Sequence, residues 1–335
     1  MSDPSTPPNQ PASEPGSRAR SVAFLSEDAE ELAELVRGLR RAIGEVIVLQ
    51  SLEQVGSLPP SSLVAVHYDA RAPTDRNRLV SDFGSTAGGP TLLLLSEKRA
   101  RHNFAQLFGS HVLTNMLVIN GNAFNDNDLL VTVRKLRGGD IFGIEKYFAP
   151  GVETNRLRVS TTAEKNWALG TITEYAGVLG IPSRLRMLIR TVADEYLTNA
   201  LYNAPVAADG TRKYSARPRN QPVALEPGET IDFRFCYDGQ RFGISASDPF
   251  GSLEPVQVQD YLAKGFRAGE DQVSMGTGGA GLGFFQILDS LSHFVINLDR
   301  GRRTEMIGLV EVSGGYRNFA EAGKSFNIFV NQGTP

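Results

Sequence analysis

A chain that contains residues 183–205, SRLRMLIRTVADEYLTNALYNAP, has to build a helix with a dry side. At 100° per residue, Leu188, Ile189, Val192, Ala193, Tyr196 and Ala200 fall on one arc, and Arg190, Thr191, Asp194 and Thr198 on the other. The apolar arc is interrupted, because Glu195, Asn199 and Asn203, spaced i, i+4, i+8, project into it or its edge. A carboxylate and two amides placed there cost free energy unless something hydrogen-bonds or coordinates them. A satisfied core network would do so, and so would a ligand or metal. Leu197 and Leu201 also fit a helix that is apolar nearly all round.

Two blocks downstream bear on that choice. IDFRFCY and RFGISAS flank Asp238-Gly239, which predicts a hairpin whose second strand delivers Asp248 to its end. A helical piece, PVQVQDYLAKGF, and a polar, glycine-punctuated run follow within residues 252–278 and suit a mobile lid. Gly279, Gly281 and Gly283 then lead into LGFFQILDSL, where missing side chains let backbone N–H groups approach phosphate at a helix N-terminus. No Gly-Lys-Ser/Thr follows, so this is not a Walker loop, and a polar lid rather than a strand precedes it, unlike a dinucleotide fingerprint. SHFVINLD, a turn at Arg300-Gly301, TEMIGLVEV and an edge strand SFNIFV complete the expected sheet.

The ordered trio of helix amide, strand aspartate and glycine loop resembles the GHKL superfamily of ATPases, above all its histidine-kinase and anti-sigma-factor serine-kinase branches. The resemblance covers about the last 150 residues and implies a two-layer α/β (Bergerat) domain over 161–335. It implies ATP and Mg²⁺ as cofactors, with Asn199 ligating the metal and Glu195 acting as base. It further implies Asp248 as acceptor for the adenine amine, and Gly279, Gly281 and Gly283 around the phosphates. Asn203 stands where relatives often carry Lys or His near the phosphates. The usual D-x-G-x-G is here Asp248-Pro249-Phe250-Gly251-Ser252, so Gly251 is the one glycine left. A Gly-Thr that supports the aspartate is here Arg303-Thr304, which keeps Thr304.

Residues 1–19 are almost all Pro, Ser, polar and small, and predict a disordered tail. From Arg20, SVAFLS, DAEELAELVRGLRRAI, VIVLQ, LVAVHYD, TLLLLS, HVLT and NDNDLLVTVRKLRG alternate as strands and helices of a parallel sheet, whose sites lie at the carboxyl strand ends. Glu27 and Asp28 after the first strand, Asp69 after the third and Ser96 after the fourth make residues 20–138 resemble a response-regulator receiver. The receiver lysine is missing, its expected position after HVLT being Asn115. A degenerate receiver that binds a partner without being phosphorylated is therefore expected. Residues 139–160 form a connector whose Phe142, Tyr147 and Phe148 predict docking rather than slack, and a helix over AEKNWALGTITEYAGVLG follows. None of the four histidines, His67, His102, His111 and His293, lies where a histidine kinase carries its phospho-acceptor.

The expected fold class is thus α/β, a receiver-like parallel sandwich followed by the GHKL sandwich. With net charge −3, no basic surface argues for nucleic acid, and no run has the apolar length of a membrane span. The single cysteine, Cys236, fits a reducing cytoplasm and, like Trp167, is expected in the core. The function these features imply is a signalling kinase acting on a serine or threonine of a protein partner of anti-sigma, anti-anti-sigma or response-regulator type, with a homodimer as one assembly. A non-catalytic, ATP-dependent partner switch is the alternative.

Overall fold

The structure is a computed structural model that describes residues 22–25, 33–58, 62–67, 91–96, 108–109, 114–119, 126–271 and 282–331. Short apolar runs form strands β1 (Val22–Leu25), β2 (Val46–Leu49), β3 (Leu63–His67), β4 (Thr91–Ser96) and β5 (Asn115–Ile119). All are parallel and lie in the order β2-β1-β3-β4-β5, that of a doubly wound sheet. Helices α1 (Ala33–Ile43) and α2 (Asp126–Leu136) belong to this half. Ser96 closes β4 as expected, whereas Glu27, Asp28, Asp69 and the N-terminal tail lie outside the described residues. The fifth strand differs from the expectation. NMLVI is extended, so Asn115 opens β5 instead of following it, and His111, Val112 and Leu113 lie outside the described residues. NMLVI is the longer β-branched, apolar run, and its pairing to β4 sets the register.

The second half begins in the expected connector, whose last residues form an edge strand, β6 (Thr154–Val159). Helices α3 (Thr162–Val178) and α4 (Ser183–Thr198) follow as an antiparallel hairpin. A capping box starts α3: the Thr161 hydroxyl accepts from the Glu164 N–H at 3.1 Å, and the Glu164 carboxylate from the Thr161 N–H at 3.0 Å. Gly180, at φ +72°, turns the chain out of it. Then come β7 (Ile231–Tyr237), β8 (Arg241–Asp248), α5 (Pro255–Asp271), α6 (Leu282–Asp289), β9 (His293–Asp299), β10 (Arg303–Glu311), α7 (Gly315–Glu321) and β11 (Ser325–Val330).

The class is mixed α/β, as expected, but the strands of both halves form one sheet in the order β2-β1-β3-β4-β5-β11-β9-β10-β8-β7-β6. SFNIFV, expected at an edge, is interior. β11 pairs parallel with β9 and antiparallel with β5, through Phe326↔Met116 and Asn327↔Asn115.

Side-chain alternation splits the second half of this sheet into two buried faces. Phe242, Ile244 and Ala246 of β8, with Phe294, Ile296 and Met306, meet α3 and α4 in one core. The opposite face is covered by α2 and the connector, where Ile144, Tyr147 and Phe148 pack with Val295, Ile307, Leu309 and Phe329. Gly243 permits that docking, since a Cβ there would stand 2.7 Å from the Phe148 ring.

The covered face is also polar. Asp128 of α2 accepts from Arg241 at 3.0 Å and contacts His293 Nδ1 at 3.2 Å; His293 Nε2 meets Asn327 Oδ1, and Asn327 Nδ2 donates to Asn115 Oδ1 at 3.2 Å. Burial pushes the Asp128 carboxyl up, but Arg241 and His293 outweigh it and hold it low. Lys135 donates to the Tyr147 hydroxyl at 3.0 Å and to Asn297 at 3.2 Å; the Glu305 carboxylate accepts from Asn297 at 2.9 Å and from the Gly143 N–H at 2.8 Å. Burial drops Lys135 to about 7. Cys236 is buried as expected, its thiol pushed up to about 12, whereas Trp167 is 58% exposed on α3. Among the described residues no helix is long and apolar enough to cross a membrane.

Candidate functional site

Helix α4 ends in a π-helical turn, Asn199–Asn203, closed by the Ala204 N–H donating to Asn199 O at 2.8 Å. The wider turn brings residues four apart into line, so Asn199 and Asn203 stack and the Asn203 amide donates to Asn199 Oδ1 at 2.7 Å. These residues lie at the wall of a cavity of about 950 Å³, within the span of ligand pockets. Glu195, Asn199, Asn203, Asp248, Gly283 and Thr304, singled out from separate stretches of sequence, all line it. The apolar positions of the helix are in the core as read, with Ile189, Val192, Ala193, Tyr196 and Ala200 buried.

At one end, β8 delivers Asp248, which is 3% exposed and whose Oδ1 accepts from the Phe250 N–H at 2.9 Å. Burial raises its carboxyl to about 7; the N–H groups of Phe250 and Gly251, the Thr304 hydroxyl and Arg212 pull the other way and do not prevail. Thr304 stands directly across the β8/β10 ladder from Asp248. Its hydroxyl is close enough to ease the carboxylate but short of a hydrogen bond of normal geometry, and it is a buried oxygen without a protein partner. A buried orphan beside a buried carboxylate at a cavity wall is chemistry for a ligand that both donates and accepts.

Gly251 is placed otherwise and does not line the cavity. At φ +57°, its Cβ would stand 2.1 Å from Asp299 O, and its own carbonyl accepts from the Gly301 N–H at 3.0 Å. It fastens the end of β8 to the β9–β10 turn.

At the other end, burial raises the Glu195 carboxyl and Asp194 raises it further, against Lys165 and Arg219. A Cβ on Gly283, in the first turn of α6, would stand 3.0 Å from Glu195 Oε2. Glycine there leaves room for the carboxylate to swing. Gly279 and Gly281 lie outside the described residues. Helix α5, longer than expected, is tied to α6 by a Tyr261–Phe284 stack at 6.1 Å and by Gly265 against Phe285, and Gln257 and Tyr261 face the cavity.

Three cations at the wall were not singled out from the sequence. Lys165 pairs with Asp194 at 2.6 Å. Arg212 donates to Ser252 Oγ at 2.7 Å and to Ser252 O at 2.8 Å, and Arg219 donates to Asn203 Oδ1 at 2.8 Å while lying over the Tyr202 ring at 4.7 Å. For the two arginines, the basic run RKYSARPRN, inside a stretch read only as irregular, was the signal.

Among the described residues no group of three or more His, Cys, Asp or Glu is arranged to hold a metal. The Asn199 amide oxygen at the cavity wall could serve a hard cation only as a single ligand, the sparse kind that Mg²⁺ takes when substrate phosphates and water supply the rest.

No protein-family model and no curated protein matches the chain. Among solved structures, a chain of the SiaB–SiaC complex from Pseudomonas aeruginosa is similar at a TM-score of 0.30 and 12% identity, over 46% of this chain and 88% of that one.

Proposed function

We propose that the cavity binds Mg-ATP and that the chain is a signalling kinase which transfers phosphate to a serine or threonine hydroxyl of a partner protein, under the influence of its receiver-like half. The observation that supports this best is the convergence of Glu195, Asn199, Asp248, Gly283 and Thr304 on one cavity with a carboxylate at each end. Adenine suits the Asp248 end: its exocyclic amine donates to the carboxylate, and the Thr304 hydroxyl gains a partner. Asn199 would hold Mg²⁺, which when bound neutralises phosphate charge. Glu195 takes the proton of the attacking hydroxyl, a task that its raised carboxyl suits better than an ordinary glutamate does. α5 and α6 close over the site and keep water from competing for phosphate.

A second reading, an ATP-dependent switch without transfer, draws on Phe250, buried where the family resemblance leads one to expect a glycine. Calorimetry of ATP with and without Mg²⁺ on the full chain, against Asn199→Ala and Asp248→Ala, tests the site. Binding weakened by both substitutions is expected, and a folded wild-type chain that binds no ATP would sink both readings. Loss of phosphate transfer in Glu195→Ala with ATP binding retained would separate kinase from switch.

A further inference from the structure

The cavity wall carries three cations, Lys165, Arg212 and Arg219, and three carboxylates, Asp194, Glu195 and Asp248, but among the described residues only one of the cations is ion-paired. Lys165 is spent on Asp194. Arg212 and Arg219 make every hydrogen bond described above to neutral oxygens, and among the described residues neither forms an ion pair with a carboxylate. Both come from the irregular segment after the π turn and both reach Asn203, Arg212 through its backbone carbonyl and Arg219 through its side-chain oxygen, but they act on different carboxylates. Arg212 is fixed to Ser252 beyond Asp248 and acts on Asp248 electrostatically. Arg219 is fixed to Asn203 and acts on Glu195. Its fork has further N–H donors beyond the one given to Asn203, and stacking on Tyr202 orients the plane.

We propose that Arg219 is the cationic contact for the terminal phosphates of the nucleotide, and that Asn203 is a positioning residue rather than a phosphate ligand. The proposal rests on the nucleotide reading above. Arg219 donates to Asn203 Oδ1, and the Asn203 amide in turn donates to Asn199 Oδ1, so one relay fixes both the guanidinium and the oxygen offered to the metal. Bidentate recognition of phosphate is what a guanidinium with spare donors and no counter-ion is built for. The charge that helix α4 does not carry at Asn203 is thereby brought in from the following segment.

The test is calorimetry of ATP and of adenosine on the full chain, in Mg²⁺, comparing wild type with Arg219→Ala, Arg219→Lys and Asn203→Ala. Arg219→Ala is expected to weaken ATP by about tenfold or more while leaving adenosine unchanged, and Arg219→Lys to recover part of the loss. Asn203→Ala is expected to raise the Mg²⁺ concentration needed for half-maximal ATP binding, with adenosine again unchanged. Equal effects of Arg219→Ala on ATP and adenosine, or none on either, would overturn the assignment. If wild type binds neither, the nucleotide reading itself falls and takes the assignment with it.

Discussion

Asp248→Asn removes a charge that the fold buries without a full set of partners. The carboxyl rises from an ordinary 3.8 to about 7 because burial outweighs the two backbone N–H groups, Thr304 and Arg212. A raised carboxyl means that the folded chain holds a proton which the unfolded chain has already released. Stability from this group is therefore full below pH 3.8 and is lost as pH rises through about 7. A rise from 3.8 to about 7 caps that contribution at about 4 kcal/mol. Asparagine keeps the shape and, through its oxygen, an acceptor for the Phe250 N–H, but does not titrate. Urea unfolding followed by circular dichroism should show the variant gaining on wild type between pH 5 and pH 8 by about 2–3 kcal/mol. Other titrating groups are common to both proteins and cancel in the difference. A gain that is the same at both pH values would show that this carboxylate is not the poorly compensated charge argued here.

The same titration predicts that wild-type ATP affinity weakens as pH falls below about 7, approaching tenfold per pH unit, in calorimetry across pH 5.5 to 8; a flat profile would count against Asp248 as the adenine acceptor. Gly283→Ala should leave stability unchanged or raise it by up to about 1 kcal/mol, since alanine favours the helix, yet lower turnover by crowding Glu195 Oε2. Unaltered turnover there would mean that the carboxylate does not need that space. Gly243→Ala should cost about 1–3 kcal/mol in urea unfolding by pushing against Phe148 and Ile144. Asp128→Asn should destabilise by about 2 kcal/mol, with Arg241 keeping Glu311 at 3.0 Å and the nearby Asp238 charge, and a neutral result would make the pair dispensable.

How far the sequence could be read varied with the range of the interaction that decided each element. The hairpin around Asp238-Gly239 and the helix over Ser183–Thr198 were legible because turn chemistry and a 3.6-residue period are local signals. Glu195, Asn199 and Asp248, which share one cavity wall, could be picked out because each stands out against its own element, a polar group in an apolar arc or a carboxylate at a strand end. SFNIFV was misjudged because nothing local distinguishes an edge strand from one flanked by β5 and β9. Trp167 was expected in the core on residue type alone, but its position on α3 turns it outward. The polar layer of Arg241, His293, Asn297, Glu305 and Asn327 alternates along its strands as a solvated face would. Those residues are buried because α2 and the connector, far away in sequence, bring Asp128, Lys135 and the Gly143 N–H to meet them. The π turn had no signature beyond the two asparagines that it aligns.

That polar layer bears on how one half of the chain can act on the other. Asp248 and Arg241 are on the same strand, and so are Thr304 and Glu305, pointing to opposite faces. The strands that hold the Asp248 end of the cavity are therefore the strands on which the first half is seated. A β strand whose two faces are both packed does not bend freely, and a one-residue slip would exchange its faces. On the proposed function, input from the first half would have two physical routes: undocking of α2 and the connector from Arg241, His293 and Glu305, or a change at the short β5–β11 pairing through Asn115 and Asn327. The first breaks buried charge pairs and exposes Tyr147 and Phe148, a cost that sets a threshold. The second disturbs a two-residue ladder, the Asn115–His293 chain beside it, and the bonds from the Ile328 N–H to Thr114 O and from the Val118 N–H to Ser325 Oγ, and breaks no buried charge pair. On the proposed function, the β5–β11 junction is the route that leaves α2 and the connector docked, so substitutions at Asn115 or Asn327 would be expected to alter nucleotide affinity without unseating the first half.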